Sequence, residues 1–107
     1  DAETLRRAMD HFKRAIECDP KDAGAYNGLG AVYSMFGNLD AAISCWQQAV
    51  AVDPGYGNAL YNLGTAYLDK GDKAGARKYL TKYKDLYYRT LPPREQASLD
   101  ALIKKCR

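Results

Sequence analysis

A spacing of 34 residues runs through this chain and constrains what it can fold into more than any other feature. Ala25, Leu29, Gly30, Tyr33, Gly37 and Ala42 return unchanged as Ala59, Leu63, Gly64, Tyr67, Gly71 and Ala76. Each identity falls where a pair of packed helices needs a large, a small or a turn-forming residue. In residues 23–36, Tyr26, Leu29, Gly30 and Tyr33 stand at i, i+3, i+4 and i+7, which puts them on one helical face. In residues 39–52, Leu39, Ala42, Ile43, Trp46, Ala49, Val50 and Val52 form the inward stripe of a second helix. Gly37-Asn38 separates the two, glycine being the residue that a helix C-terminus accepts most readily in the left-handed conformation. Asp53-Pro54 ends the second helix, because a residue before proline is pushed out of the helical region. One period is therefore predicted to be an antiparallel helical hairpin. Gly30 lies inside a helix, where it costs about 1 kcal/mol relative to alanine; its return as Gly64 predicts close approach of a neighbouring backbone.

The pattern extends in both directions. Residues 57–70 repeat the first helix with Leu60, Leu63, Gly64 and Tyr67, and Gly71-Asp72 supplies the turn. Residues 73–89 repeat the second, with a drift: Tyr83 stands where Ala49 stood, and Tyr87-Tyr88 replaces Asp53-Pro54. That helix is expected to run a turn longer, with Ala76, Leu80, Tyr83 and Tyr87 on one stripe, until Leu91-Pro92-Pro93 breaks it. Upstream, residues 4–18 match only the second helix of the period, since Leu5, Ala8, Ala15, Asp19 and Pro20 reappear as Leu39, Ala42, Ala49, Asp53 and Pro54, and Phe12 is answered by Trp46. The chain is thus expected to open on half a hairpin. A last amphipathic helix is predicted at about 94–105, with Leu99, Leu102, Ile103 and Cys106 inward.

Two-helix units of this length and residue order resemble tetratricopeptide repeats. Residues 26–54 carry the family pattern in Tyr26, Leu29-Gly30, Tyr33, Gly37, Ala42, Trp46, Ala49 and Pro54. Residues 60–80 carry it in Leu60, Leu63-Gly64, Tyr67, Gly71, Ala76 and Leu80. The resemblance implies an all-α fold, a right-handed superhelical array of antiparallel helix hairpins with a C-terminal capping helix. Its expected divisions are 1–22 (second helix of a partial repeat), 23–56 and 57–90 (repeats) and 91–107 (the cap). The cap would solvate the apolar face that a terminal repeat leaves open. The resemblance also implies work as a protein–protein interaction scaffold. The first helix of each hairpin would line a concave groove that takes a peptide or helix of a partner. Carried onto this chain, the partner-binding residues are Asn27, Ala31 and Met35 from one repeat and Asn58, Tyr61, Asn62, Thr65 and Asp69 from the next. Gly24, Gly28, Ser34 and Leu68 lie beside them. The asparagines offer short-stemmed donors and acceptors for an extended backbone; the same residues would also serve simply as a solvated face.

Charge separates the chain into unequal parts. Residues 23–69 contain three acids and no lysine or arginine, whereas residues 70–107 hold eleven lysines and arginines against four acids. The nearly uncharged lining, without lysine or arginine, argues against the lysine- and arginine-based grip on chaperone C-terminal carboxylates found in some of the family. The basic third is open to two readings, a solvated convex surface or a face for nucleic acid or an acidic partner. A third reading is self-association through the unpaired first helix, with Phe12, Ala15 and Ile16 recruiting a second copy. No catalytic constellation, metal spacing or cofactor motif is present: His11 is placed on an outer helix face, and Gly28-Leu29-Gly30 follows no strand. The expectation is therefore a non-enzymatic module without cofactor. Cys18, Cys45 and Cys106 form no close pair, which predicts three partly buried free thiols and a cytoplasmic setting. No apolar run approaches the ~20 residues of a membrane span.

Overall fold

The computed structural model describes residues 1–107. Six helices follow one another: α1 (Ala2–Cys18), α2 (Ala23–Met35), α3 (Leu39–Val52), α4 (Gly57–Asp69), α5 (Lys73–Tyr87) and α6 (Pro93–Lys105). A 3-10 turn at Tyr88–Thr90 lies between the last two, and there is no strand. The chain divides into two compact units, Asp1–Ala59 and Leu60–Arg107.

The 34-residue spacing is visible down to single hydrogen bonds. After α2, the Gly37 N–H donates to the Ser34 carbonyl at 3.0 Å and the Asn38 N–H to Tyr33 at 2.9 Å. After α4, the Gly71 N–H donates to Leu68 at 3.0 Å and the Asp72 N–H to Tyr67 at 2.9 Å. These paired bonds satisfy the carbonyls that a helix C-terminus leaves open. They require a left-handed residue, and Gly37 and Gly71 take φ of 83° and 84°. The next side chain then caps the following helix: Asn38 accepts from the Ala41 N–H at 3.1 Å, Asp72 from the Gly75 N–H at 2.9 Å. The other junction repeats as well. Asp19 and Asp53 leave the helix with ψ of 94° each, and their carboxylates accept from the Lys21 and Gly55 N–H groups at 3.0 and 3.2 Å.

In the first unit, α2 packs against α1 on one side and α3 on the other. Ala25, Leu29 and Val32 of α2 and Ala42, Ile43, Trp46 and Ala49 of α3 are buried. The reason for Gly30 differs from the sequence expectation. Its neighbour is a side chain rather than a backbone: a Cβ there would come within 2.5 Å of the Trp46 Nε1. The indole N–H donates to the Asn27 carbonyl at 3.1 Å. Gly28 plays the same part toward α1, for a Cβ at that position would lie 2.4 Å from the Phe12 ring.

In the second unit the relation between Gly30 and Trp46 returns as Gly64 and Leu80, with a Cβ on Gly64 falling 2.4 Å from the Leu80 Cγ. Leu60, Leu63, Leu80, Leu99 and Cys106 are fully buried. Tyr67, Tyr83, Tyr88, Leu91, Leu102 and Ile103 pack on the cluster formed by Ala76, Leu80, Leu99 and Cys106. α5 stops at Tyr87, short of the expected 89, because the next residues tighten into the 3-10 turn, where the Thr90 hydroxyl donates to the Tyr87 carbonyl at 2.7 Å. α6 opens on Pro93, which suits a first helical position, and Gln96 donates back to the Tyr88 carbonyl at 2.7 Å. The cysteines are free but differ from the uniform burial expected: Cys18 is exposed, Cys45 half-buried and Cys106 fully buried. Burial pushes the Cys45 thiol up, against a smaller opposing effect of Lys13.

α6 is tied to α5 by a polar cluster. Lys84 Nζ donates to Asp100 Oδ1 at 2.8 Å and the Tyr88 hydroxyl to Asp100 Oδ2 at 2.7 Å. These bonds, Lys84 first and Tyr88 second, hold the Asp100 carboxyl below its usual value. The bonds to Asp100 in turn raise Lys84 and Tyr88. A depressed carboxyl contributes stability that is present above its unfolded value, about 3.9, and is lost as pH falls through the folded one. The raised lysine and tyrosine contribute stability that is present below about 10 and is lost as pH rises beyond. Asp100→Asn is therefore expected to flatten the acid limb of the stability–pH curve. Hydrogen exchange of α6 amides between pH 2 and pH 5 checks this, and an unchanged acid limb would contradict it.

Candidate functional site

The faces of α2 and α4 turned away from their glycine–leucine stripes hold the residues expected to meet a partner. On α2 they are Asn27, Ala31 and Met35, four residues apart and so one above the next along the helix. Asn27 and Ala31 are half-buried. Met35 is 69% exposed, high for so apolar a side chain, and Phe36 beside it is also exposed. Ser34 is exposed. Gly28 is given over to the contact with Phe12, so its place in the lining is corrected to a packing role.

On α4, Asn58 and Asp69 are exposed, and Asn62 and Thr65 are half-buried. Tyr61 is 37% exposed. The Thr65 hydroxyl donates to the Asn62 carbonyl at 3.1 Å, so its proton is already committed and what it offers a ligand is a lone pair. Leu68 packs on the core of the second unit and is not an open contact. Tyr61 continues into a row of rings on α5, whose Tyr83 keeps its expected place on the core stripe and also meets Tyr61. Its centroid lies 5.5 Å from that of Tyr83, which lies 5.2 Å from Tyr87. Burial, and after it the negative charge of Glu95, pushes the Tyr83 hydroxyl above its usual value. The signal that could have found this row was the break in the repeat itself, a tyrosine at 83 where residues 15 and 49 are alanine.

The electrostatics are simple. α2 carries no charged side chain and α4 only Asp69. The two faces thus present amides, a phenol, a hydroxyl and apolar surface, a chemistry suited to main-chain hydrogen bonding and side-chain contact. No group of three His, Cys, Asp or Glu side chains could hold a metal ion. His11 is exposed, its ring edge-on to Phe12. No helix is long and apolar enough to cross a membrane.

Comparison with known proteins places this geometry. Two models of the tetratricopeptide repeat match, one over residues 36–87 and the other over residues 11–44. A TPR repeat-containing protein of Pseudomonas aeruginosa is 32% identical over 75 residues, a match that takes in 69% of this chain and 71% of that protein. Superkiller protein 3 of Schizosaccharomyces pombe is 31% identical over 72 residues, 67% of this chain. Against it and two further relatives the match spans only 5%, 9% and 12% of their length. Among solved structures, the Yersinia enterocolitica type III secretion chaperone SycD, in complex with a peptide of the translocator YopD, superposes with a TM-score of 0.86. That alignment covers 98% of this chain and 81% of that one at 20% identity, a likeness of fold. The hydrogen-bonded turns, the alternation of helices and these matches together establish that the chain belongs to the tetratricopeptide repeat family.

Proposed function

We propose that this chain is a protein-interaction module, without turnover, and that the exposed face of α2 and the exposed face of α4 are each a surface for an extended peptide or a helix of a partner. The observation that carries the reading is the pairing of outward apolar side chains, Met35 and Tyr61 at 69% and 37% exposure, with half-buried asparagines on helices devoid of lysine and arginine. Exposed apolar groups gain from being covered. Asparagine amides beside them satisfy the backbone of whatever covers them. The SycD structure, which holds a peptide of its translocator, supports peptide binding as work this fold can do. A search with a random twelve-residue peptide library on the immobilised chain supplies the probe. Asn27→Ala is expected to weaken peptides held on α2, and Asn62→Ala and Tyr61→Ala those held on α4, by about fivefold each, corresponding to one lost contact of about 1 kcal/mol. Unchanged affinity in all three variants contradicts the reading.

A second reading, self-association through α1, has one observation behind it. Ala8, Phe12 and Ala15 are only half-buried, whereas their equivalents Ala42, Trp46 and Ala49 are buried in α3. Light scattering across a concentration series is expected to show mass rising with concentration if α1 recruits a second copy, and a constant monomer mass sets this reading aside.

A further inference from the structure

The second unit carries a concentration of positive charge that peptide binding by α2 and α4 does not use. It lies where the start of α5 meets the end of α6. Arg77 Nη1 donates to the Cys106 carbonyl at 3.0 Å, which fixes that guanidinium at the α6 C-terminus. Lys73 stands one turn before Arg77 on α5, and Lys104, Lys105 and Arg107 stand within a turn of Cys106. All five are exposed. The acids nearest in sequence do little to offset them. Asp72 is a single charge whose carboxylate caps α5 through the Gly75 N–H, and Asp69 is one charge at the end of α4, followed in sequence by Lys70. The last acid of α6 is Asp100, already bound to Lys84 and Tyr88. The helices run in opposite directions, as the contacts Arg77 to Cys106 and Lys84 to Asp100 show. Basic residues of α5's first turns and α6's last turn are thereby gathered at one end, while Lys84 is neutralised by Asp100 further along.

We infer that this end of the second unit, built from Lys73, Arg77, Lys104, Lys105 and Arg107, docks a short acidic segment of a protein partner. Charge complementarity sets the sign of the ligand. Extent sets its size: one turn of each helix covers about 5 Å along the axis, enough for a few carboxylates and not for a long polyanion. The aromatic ring nearest Arg77 in sequence, Tyr79, is half-buried and already stacked on Tyr67 at 5.7 Å, which sets this surface apart from single-strand nucleic-acid sites with rings open to bases. Arg77, held by the Cys106 carbonyl, supplies a fixed donor at the centre, and the lysines supply mobile charge around it.

The test uses the whole chain and a fluorescein-labelled hexaglutamate peptide, followed by anisotropy at 20 and 200 mM salt. Binding is expected at low salt, with at least a tenfold loss on raising the salt. The triple variant Lys73→Glu, Lys104→Glu, Lys105→Glu is expected to weaken hexaglutamate at least tenfold. The triple variant Lys13→Glu, Arg14→Glu, Lys21→Glu changes the net charge equally in the first unit and is expected to change affinity less than twofold. Circular dichroism confirms that both variants stay helical. Absence of binding at 20 mM salt overturns the inference, as does equal loss in the two triple variants, which would mean that net charge alone is sensed. A single-stranded dT6 oligonucleotide that binds tenfold more tightly than hexaglutamate would also overturn it, assigning the surface to nucleic acid. Peptides recovered on α2 and α4 are expected to keep their affinity in both variants, so the two proposals stand or fall separately.

Discussion

Replacing Trp46 with alanine is expected to destabilise the first unit by about 3–5 kcal/mol, the range for removing a large aromatic side chain from a packed core. The indole is 5% exposed. It fills the space that Gly30 leaves open and donates its N–H to the Asn27 carbonyl. Truncation removes the buried ring and the hydrogen bond together. The surrounding backbone cannot close the space without moving α2 against α3. Trp46→Phe restores much of the volume but not the donor, and is expected to cost less than half as much. Trp46 is the chain's one tryptophan, so the measurement is urea unfolding by circular dichroism, supported by hydrogen exchange of α2 and α3 amides. A loss below about 1 kcal/mol, the scale of an ordinary point substitution, would show that the indole is not packed as described.

Leu80→Ala is expected to cost about 2–5 kcal/mol in the second unit, where Leu80 occupies the place that Trp46 holds in the first. The more informative result is its coupling to Gly64. Helix propensity favours alanine over glycine by about 1 kcal/mol. At position 64, however, a Cβ would lie 2.4 Å from the Leu80 Cγ, with Leu80 fully buried and without room to retreat. Gly64→Ala alone is therefore expected to destabilise by about 1–3 kcal/mol, the cost of overpacking. In the Leu80→Ala background the obstruction is gone, and the same substitution is expected to stabilise. A double-mutant cycle by urea unfolding measures this change of sign, and additive effects would contradict the packing of the pair.

The turns were legible in the sequence because their chemistry is local. Gly37 and Gly71 are needed where φ is positive, and Asp19 and Asp53 bond the backbone two residues on, so period and residue type together point to one geometry. The helix stripes were legible for the same reason. What spacing could not convey is what a residue meets across the fold. Helical spacing puts Gly28 on an open face, yet it lies against Phe12, a contact over sixteen positions that no helical wheel reveals. The tyrosines at the end of α5 broke the repeat without explaining themselves. Tyr88 proves to be an anchor for α6 through Asp100 and Gln96. Tyr83 links Tyr61 to Tyr87. The candidate binding faces were readable as directions on a helix. Which of their polar atoms are already committed, as the Thr65 hydroxyl is, depended on the structure.

The measurement that bears most directly on the function is an amide-resolved chemical-shift map of the whole chain, titrated with a peptide recovered from the random library. If the face of α2 or of α4 holds the ligand, the shifts will gather at Asn27, Ala31 and Met35 or at Asn58, Tyr61, Asn62 and Thr65, with the outward faces of α3 and α5 silent. A map confined to α3, α5 or α6, with those residues unmoved, would contradict it.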